Sequence, residues 1–137
     1  LAERESAGLA VVHAWRVYGE SMLRSGRGRI SQEQLEQKIE QTRQCHSNAL
    51  DALLEAYGLG TKYPDVHLLK GNPATTIHTL SGKLDVDLVV MGTVGRTGIP
   101  GFFIGNTAED VLQNTRASVL AVKPTDFVSP VAPAQMA

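Results

Sequence analysis

Short apolar runs alternate along this chain with longer stretches of helical period. Leu9–Ala14 (LAVVHA), after Gly8, reads as a buried strand. Before it, Leu1-Ala2-Glu3-Arg4-Glu5 reads as the last turn of a helix already under way, in a chain with no initiator methionine. From Trp15 to Arg29 no period holds. Gly19, Gly26 and Gly28 with Ser21 and Ser25 predict a loop, made basic by Arg24, Arg27 and Arg29 and read as a solvated excursion.

Ser31 opens a helix, with Gln34 completing a capping box. Leu35, Ile39, Thr42, His46, Leu50, Leu53 and Tyr57 follow at steps of three and four and share one face, until Gly58 and Gly60 stop the helix. Cys45 and His46 lack the companions of a metal site, so they are assigned to a packed helix face. Asp65–Lys70 is a second strand. Gly71-Asn72-Pro73 then turns into a helix, Asn72 as N-cap and Pro73 at N1, with Ile77, Leu80 and Leu84 as its apolar stripe. Asp87–Met91 (DLVVM) is a nearly continuous apolar strand, as expected where both faces of a parallel sheet are covered. After a glycine-rich stretch, a helix runs from Asn106 to about Thr115, with Asn106 and Glu109 matching a capping box, and Ser118–Val122 forms a last strand.

Strand and helix in alternation predict a doubly wound α/β domain with a parallel sheet over residues 1–124, and an extended tail over 125–137. Composition narrows the partners. The 137 residues carry a net charge of -1, which gives no global footprint for nucleic acid or an acidic membrane. No apolar run approaches the roughly 20 residues of a membrane span. The single cysteine excludes an internal disulfide and fits a reducing, cytoplasmic compartment.

The candidate chemistry lies between Met91 and Thr107. Gly92, Gly95, Gly98, Gly101 and Gly105 follow a strand and precede a helix, where open α/β sheets bind ligands. Exposed amides of such a loop, and the free amides of the next helix, form an anion site. From Leu88 to Thr107 the only ionisable side chain is Arg96, whose guanidinium could grip a phosphate. A bound anion would compete with a cap at Asn106. The alternative is a structural loop with a surface arginine. Neither a P-loop (G-x-x-x-x-G-K followed by Ser or Thr) nor a G-x-G-x-x-G fingerprint is present.

Gly92-Thr93-Val94-Gly95, nine residues, then Gly105-Asn106 resembles the universal stress protein signature, G-x2-G-x9-G followed by Ser or Thr. DLVVMGTVGRTG before it and GNTAEDVL and SVLAVKP after it agree, as do LAVVHAW and HLLKGNPATTI. The wording looks most like the C-terminal domain of the tandem, E-type members. The resemblance implies a sheet of five parallel strands ordered 3-2-1-4-5, of the adenine nucleotide alpha hydrolase-like type, and dimerisation through the final strand. In ATP-binding members Gly92, Gly95, Gly105 and Asn106 would cradle the triphosphate, with Thr93, Arg96 and Thr107 beside it. Met91 and Ala14 would lie near adenine and ribose, and Mg2+ would accompany ATP.

Two departures stand out. Asn106 replaces the usual serine or threonine, unless Thr107 substitutes. The family's first strand, with its terminal aspartate, has no counterpart before Leu1, and its absence would leave a hole between the strands at Leu9–Ala14 and Asp87–Met91. The expectation is a chain that extends before Leu1, or another segment that fills the gap.

No nucleophile–base pair or converging carboxylates sit near the loop. His13, His67 and His78 read as structural histidines, so a dedicated enzyme is not expected. The leading reading is a stress-response domain that binds ATP or a related adenine nucleotide as a switch or stabilising ligand. It would work as a homodimer or as an intrachain pseudo-dimer with a second such domain. Its rival is a dimeric interaction module without nucleotide, and a weaker third is small-molecule hydrolysis.

Overall fold

A computed structural model describes residues 1–25, 30–60, 65–93 and 105–123. Its elements are α1 (Ala2–Glu5), β1 (Val11–Trp15), α2 (Glu20–Arg24), α3 (Gln32–Ala56), β2 (Val66–Lys70), α4 (Pro73–Leu84), β3 (Leu88–Gly92), α5 (Asn106–Asn114) and β4 (Ser118–Val122). The four expected strands and three long helices are therefore present, shifted by a residue or two at their ends. The chain divides into two compact units, Leu1–Thr76 and Ile77–Ala137.

In the first unit β1 pairs in parallel with β2, Val11 opposite Val66 through Trp15 opposite Lys70. The longest helix, α3, supplies most of the core: Leu35, Leu50 and Leu54 are buried with Trp15 and Val17. Its ends are fully capped. Ser31 Oγ accepts from the Gln34 amide at 3.1 Å, and Gln34 Oε1 accepts from the Ser31 amide at 2.8 Å, the expected box. At the other end Gly58 takes φ 64°, the Gly58 amide reaches Glu55 O at 3.0 Å, and Leu59 reaches Leu54 O at 2.8 Å. These bonds form a Schellman motif.

The expected stripe is corrected at its far end, where Leu53 and Tyr57 are exposed and Leu54 is buried. Steps of four from His46 through Leu50 advance about 40° each, which favours Leu54 over Leu53. Tyr57 lies beyond the last helical residue, as C-cap. The loop expected from Trp15 to Arg29 is also corrected, because Glu20–Arg24 forms the short helix α2. A Glu20–Arg24 pair four residues apart, 2.8 Å, supports that turn.

Asn72 caps α4 as expected, its Oδ1 accepting from the amides of Ala74 (3.0 Å) and Thr75 (3.3 Å). Gly71 suits the turn, since an added Cβ would lie 2.7 Å from Thr76 Oγ1, which would have to move. The stripe of α4 is only partly covered: Ile77 and Leu80 are half-buried and Leu84 is exposed.

In the second unit β3 pairs in parallel with β4, Leu88 opposite Ser118 through Gly92 opposite Val122. Ala108 and Val111 of α5 are buried, Val111 completely. The expectation that both faces of β3 are covered is not met among the described residues. Leu88 and Val90 are exposed, as are Leu120 and Val122 on β4. These four alternate along their strands and lie on one face of the pair.

Candidate functional site

The sequence-predicted residues divide by location. Gly95 and Arg96, with Gly98 and Gly101, lie outside the described residues. Ala14 is half-buried on β1 of the first unit, opposite Leu69. The remaining six are brought together in the second unit, at the carboxyl end of β3 and the amino end of α5.

Backbone bonds fix that junction. Met91 and Gly92 are the last two residues of β3, opposite Ala121 and Val122. The Thr93 amide donates to Val122 O at 3.4 Å, and Thr93 O accepts from the Gly105 amide at 2.8 Å. Gly105 is thereby clamped against the strand end and begins α5 directly, with Asn106, Thr107 and Ala108 as the first helical residues.

Asn106 is consequently not the N-cap that its sequence suggested, and the Asn106–Glu109 box does not form. Gly105 holds that position, in extended backbone of φ -60° and ψ 146°, and no side chain caps the helix. Asn106 is already one residue inside it, so its side chain cannot reach the N3 amide from the capping position. The result is a bare, partly positive helix end.

Two further features surround it. Thr93 is 2% exposed and its Oγ1 has no hydrogen-bond partner among the described residues. A buried hydroxyl left without a partner costs about 1–3 kcal/mol, which a water or a ligand oxygen would relieve. Gly92 is the second feature. An added Cβ there would meet no atom of the described residues within 4 Å, and its φ is not left-handed. The described residues thus do not demand glycine at 92, whereas a group approaching the backbone closely would. At Gly105 the added Cβ would lie 3.4 Å from Thr93 O, an ordinary contact.

The uncapped amides of a helix start suit an anion. Among the described residues no group of three or more His, Cys, Asp or Glu side chains could hold a metal ion. No described helix is long and apolar enough to cross a membrane.

Sequence reasoning missed a second polar cluster, in the first unit. His13 Nε2 and His46 Nδ1 are 2.8 Å apart in a part-buried hydrogen bond between β1 and α3. The His46 ring stacks on Trp15, 6.0 Å between centroids, and Lys70 Nζ lies 5.9 Å from the Trp15 ring centroid. Lys70 is bound to Glu20 at 2.7 Å. Helical position alone identified His46 as inward-facing, but its partner is 33 residues away, and only the parallel crossover brings His13 to it.

Comparison with known proteins agrees with the fold. The sequence model of the Universal stress protein family matches residues 1–123. Universal stress protein E of Escherichia coli (strain K12) is 41% identical over 86 residues, 63% of this chain and 27% of that protein. The chain thus spans about a quarter of the length of the curated relatives it matches. A functionally unknown protein of Pseudomonas aeruginosa PAO1 superposes with a TM-score of 0.64 at 31% identity, over 91% of this chain and 37% of that one. A universal stress protein solved in complex with cAMP gives a TM-score of 0.50 at 18% identity, over 89% of this chain and 78% of that one.

Proposed function

The chain belongs to the universal stress protein family, and from that premise we propose that its second unit binds the phosphate chain of an adenine nucleotide, ATP in the first instance. The observation that carries this reading is the buried, unpartnered Thr93 Oγ1 beside the uncapped end of α5. In it Gly92 and Gly105 admit the phosphates to the backbone, the first amides of α5 donate to them, and Thr93 contributes its hydroxyl. Thr107 stands in for the hydroxyl that Asn106 lacks. Gly95 and Arg96 would complete the cradle, and Met91 would approach the adenosine.

The cAMP complex of a relative supports an adenine nucleotide as the class of ligand. Mg2+ would ride on the phosphates, as no acidic cluster is available to it among the described residues. The reading includes the five-stranded order 3-2-1-4-5, in which a further strand joins β1 and β3, and it includes a homodimer or pseudo-dimer in the cytoplasm. It assigns no catalytic residue, so ATP hydrolysis would be slow and incidental. The domain would act in stress response as a switch or a stabilised scaffold.

Calorimetry on the intact protein tests it, with ATP, AMP and cAMP and with and without Mg2+. Micromolar binding that is lost in Gly105→Asp supports the reading, since the new carboxylate would repel phosphate. No heat at millimolar nucleotide overturns it in favour of a dimeric interaction module.

A further inference from the structure

The His13–His46 bridge serves no part of the nucleotide reading, yet it ties β1 to the longest helix. Both rings lie on the face of β1 that meets α3, where Trp15 stacks on His46. At 2.8 Å the two nitrogens have room for one proton between them. When both rings are neutral, one nitrogen donates and the other accepts. With one ring charged, a donor still faces an acceptor. With both charged, two N–H groups confront each other with no acceptor, and two positive charges repel across the same gap.

Other groups on this face offer no relief. From β2, Lys70 adds a positive charge over Trp15. From α2, Glu20 is engaged by Lys70 and Arg24. On α3 itself Glu40 is engaged by Arg43, 2.7 Å away, and Cys45 is exposed. His67 points to the opposite face of β2, where its Nε2 lies 2.7 Å from Asp65 Oδ1 without the alignment of a hydrogen bond. No carboxylate bonds to either ring among the described residues.

We propose that His13 and His46 form an acid-sensitive latch between β1 and α3, closed while at most one ring is charged and open when both are. Burial, and then the charge of His46, hold the His13 imidazole below its ordinary value of 6.5. The direction of linkage follows. A group whose folded pKa is depressed contributes fully above the unfolded value and loses that contribution as pH falls through the folded one. The loss therefore begins below about pH 6.5. Glu20 and Glu40 do not contribute in that window. Lys70 and Arg43 respectively, through hydrogen bonds, hold their carboxyls below the usual range.

The test is NMR on the intact protein between pH 7.5 and 5.0, following the histidine ring resonances and backbone amide exchange. We expect the His13 ring to titrate below its ordinary value, and to move back toward it in His46→Asn. Opening-limited exchange of the amides of Val11–Trp15, corrected for intrinsic pH dependence, should accelerate about tenfold per pH unit below the transition. His46→Asn places an amide where Nδ1 stood, and His13→Gln does the same for Nε2. Each keeps a neutral hydrogen bond, and either should abolish the pH dependence of exchange. Titration of the His13 ring at its ordinary value, unchanged in His46→Asn, or acid-accelerated exchange that persists in whichever variant is folded, would overturn the latch.

Discussion

The two units use their polar groups differently. Helix α3 is closed at both ends, by the Ser31–Gln34 box and by the left-handed Gly58, and the imidazole bridge on its inner face is mutually satisfied. Helix α5 begins bare, next to a buried hydroxyl with no partner among the described residues. The core of the first unit draws on Trp15, Val17, Leu35, Leu50 and Leu54, whereas among the described residues of the second only Ala108 and Val111 are apolar and buried. His67 Nε2 in the first unit and Thr93 Oγ1 in the second are each buried without a partner among the described residues, so the contrast lies in the helix ends: α3 is closed by its own chain and α5 is left open.

That contrast is most directly broken at Trp15. Trp15→Ala removes the largest buried side chain of the first unit, and with it the platform for His46 and Lys70. A loss of about 3–5 kcal/mol is expected, comparable with the whole stability of a small domain. Chemical denaturation followed by amide exchange should show the first unit unfolding at much lower denaturant. Val111→Ala, at a fully buried position of the second unit, should cost less, about 2 kcal/mol. Equal costs would mean that the second unit is as tightly organised as the first.

Thr93→Val sharpens the comparison because its two effects have opposite signs. Replacing the buried, unpartnered hydroxyl with a methyl group of similar shape should raise stability by about 1 kcal/mol. The same change should weaken ATP binding, read by calorimetry, if the hydroxyl serves a phosphate. A destabilised variant would mean that the hydroxyl is satisfied by the protein itself, and the nucleotide reading would lose its main support. A smaller effect is expected at Ser31. Ser31→Ala removes one half of a capping box and should lower the melting midpoint by an amount equivalent to about 1 kcal/mol.

The elements of both units were legible because local rules set them. Ser31 with Gln34, Asn72 before Pro73, and Gly58 after the long amphipathic run each announce a helix boundary within a few residues of sequence. The failures were non-local. Asn106 has the chemistry of a cap, but the bond from the Gly105 amide to Thr93 O starts the helix one residue earlier than composition suggests. His46 was legible as inward-facing and not as half of a pair, since the pairing depends on a parallel crossover. The junction of β3 and α5 was legible as a place, from glycine spacing and the absence of acidic residues. The partnerless Thr93 hydroxyl was not, because threonine after a strand carries no signal until its surroundings are known.

The smallest expected effect tests whether α4 ends as firmly as α3 does. Asp85 follows the last residue of α4 at φ 49°, where a side chain is strained, and the Val86 amide reaches back to Ser81 O at 3.2 Å. The geometry repeats the closure of α3 at Gly58, with a residue that has a Cβ in the position glycine prefers. Asp85→Gly relieves that strain but adds freedom to the unfolded chain, and the two effects partly offset. A net gain of about 0.5 kcal/mol is expected in thermal denaturation. A net loss would show that the Asp85 side chain contributes more at this corner than its backbone costs, and the two helix ends would then be closed by different means.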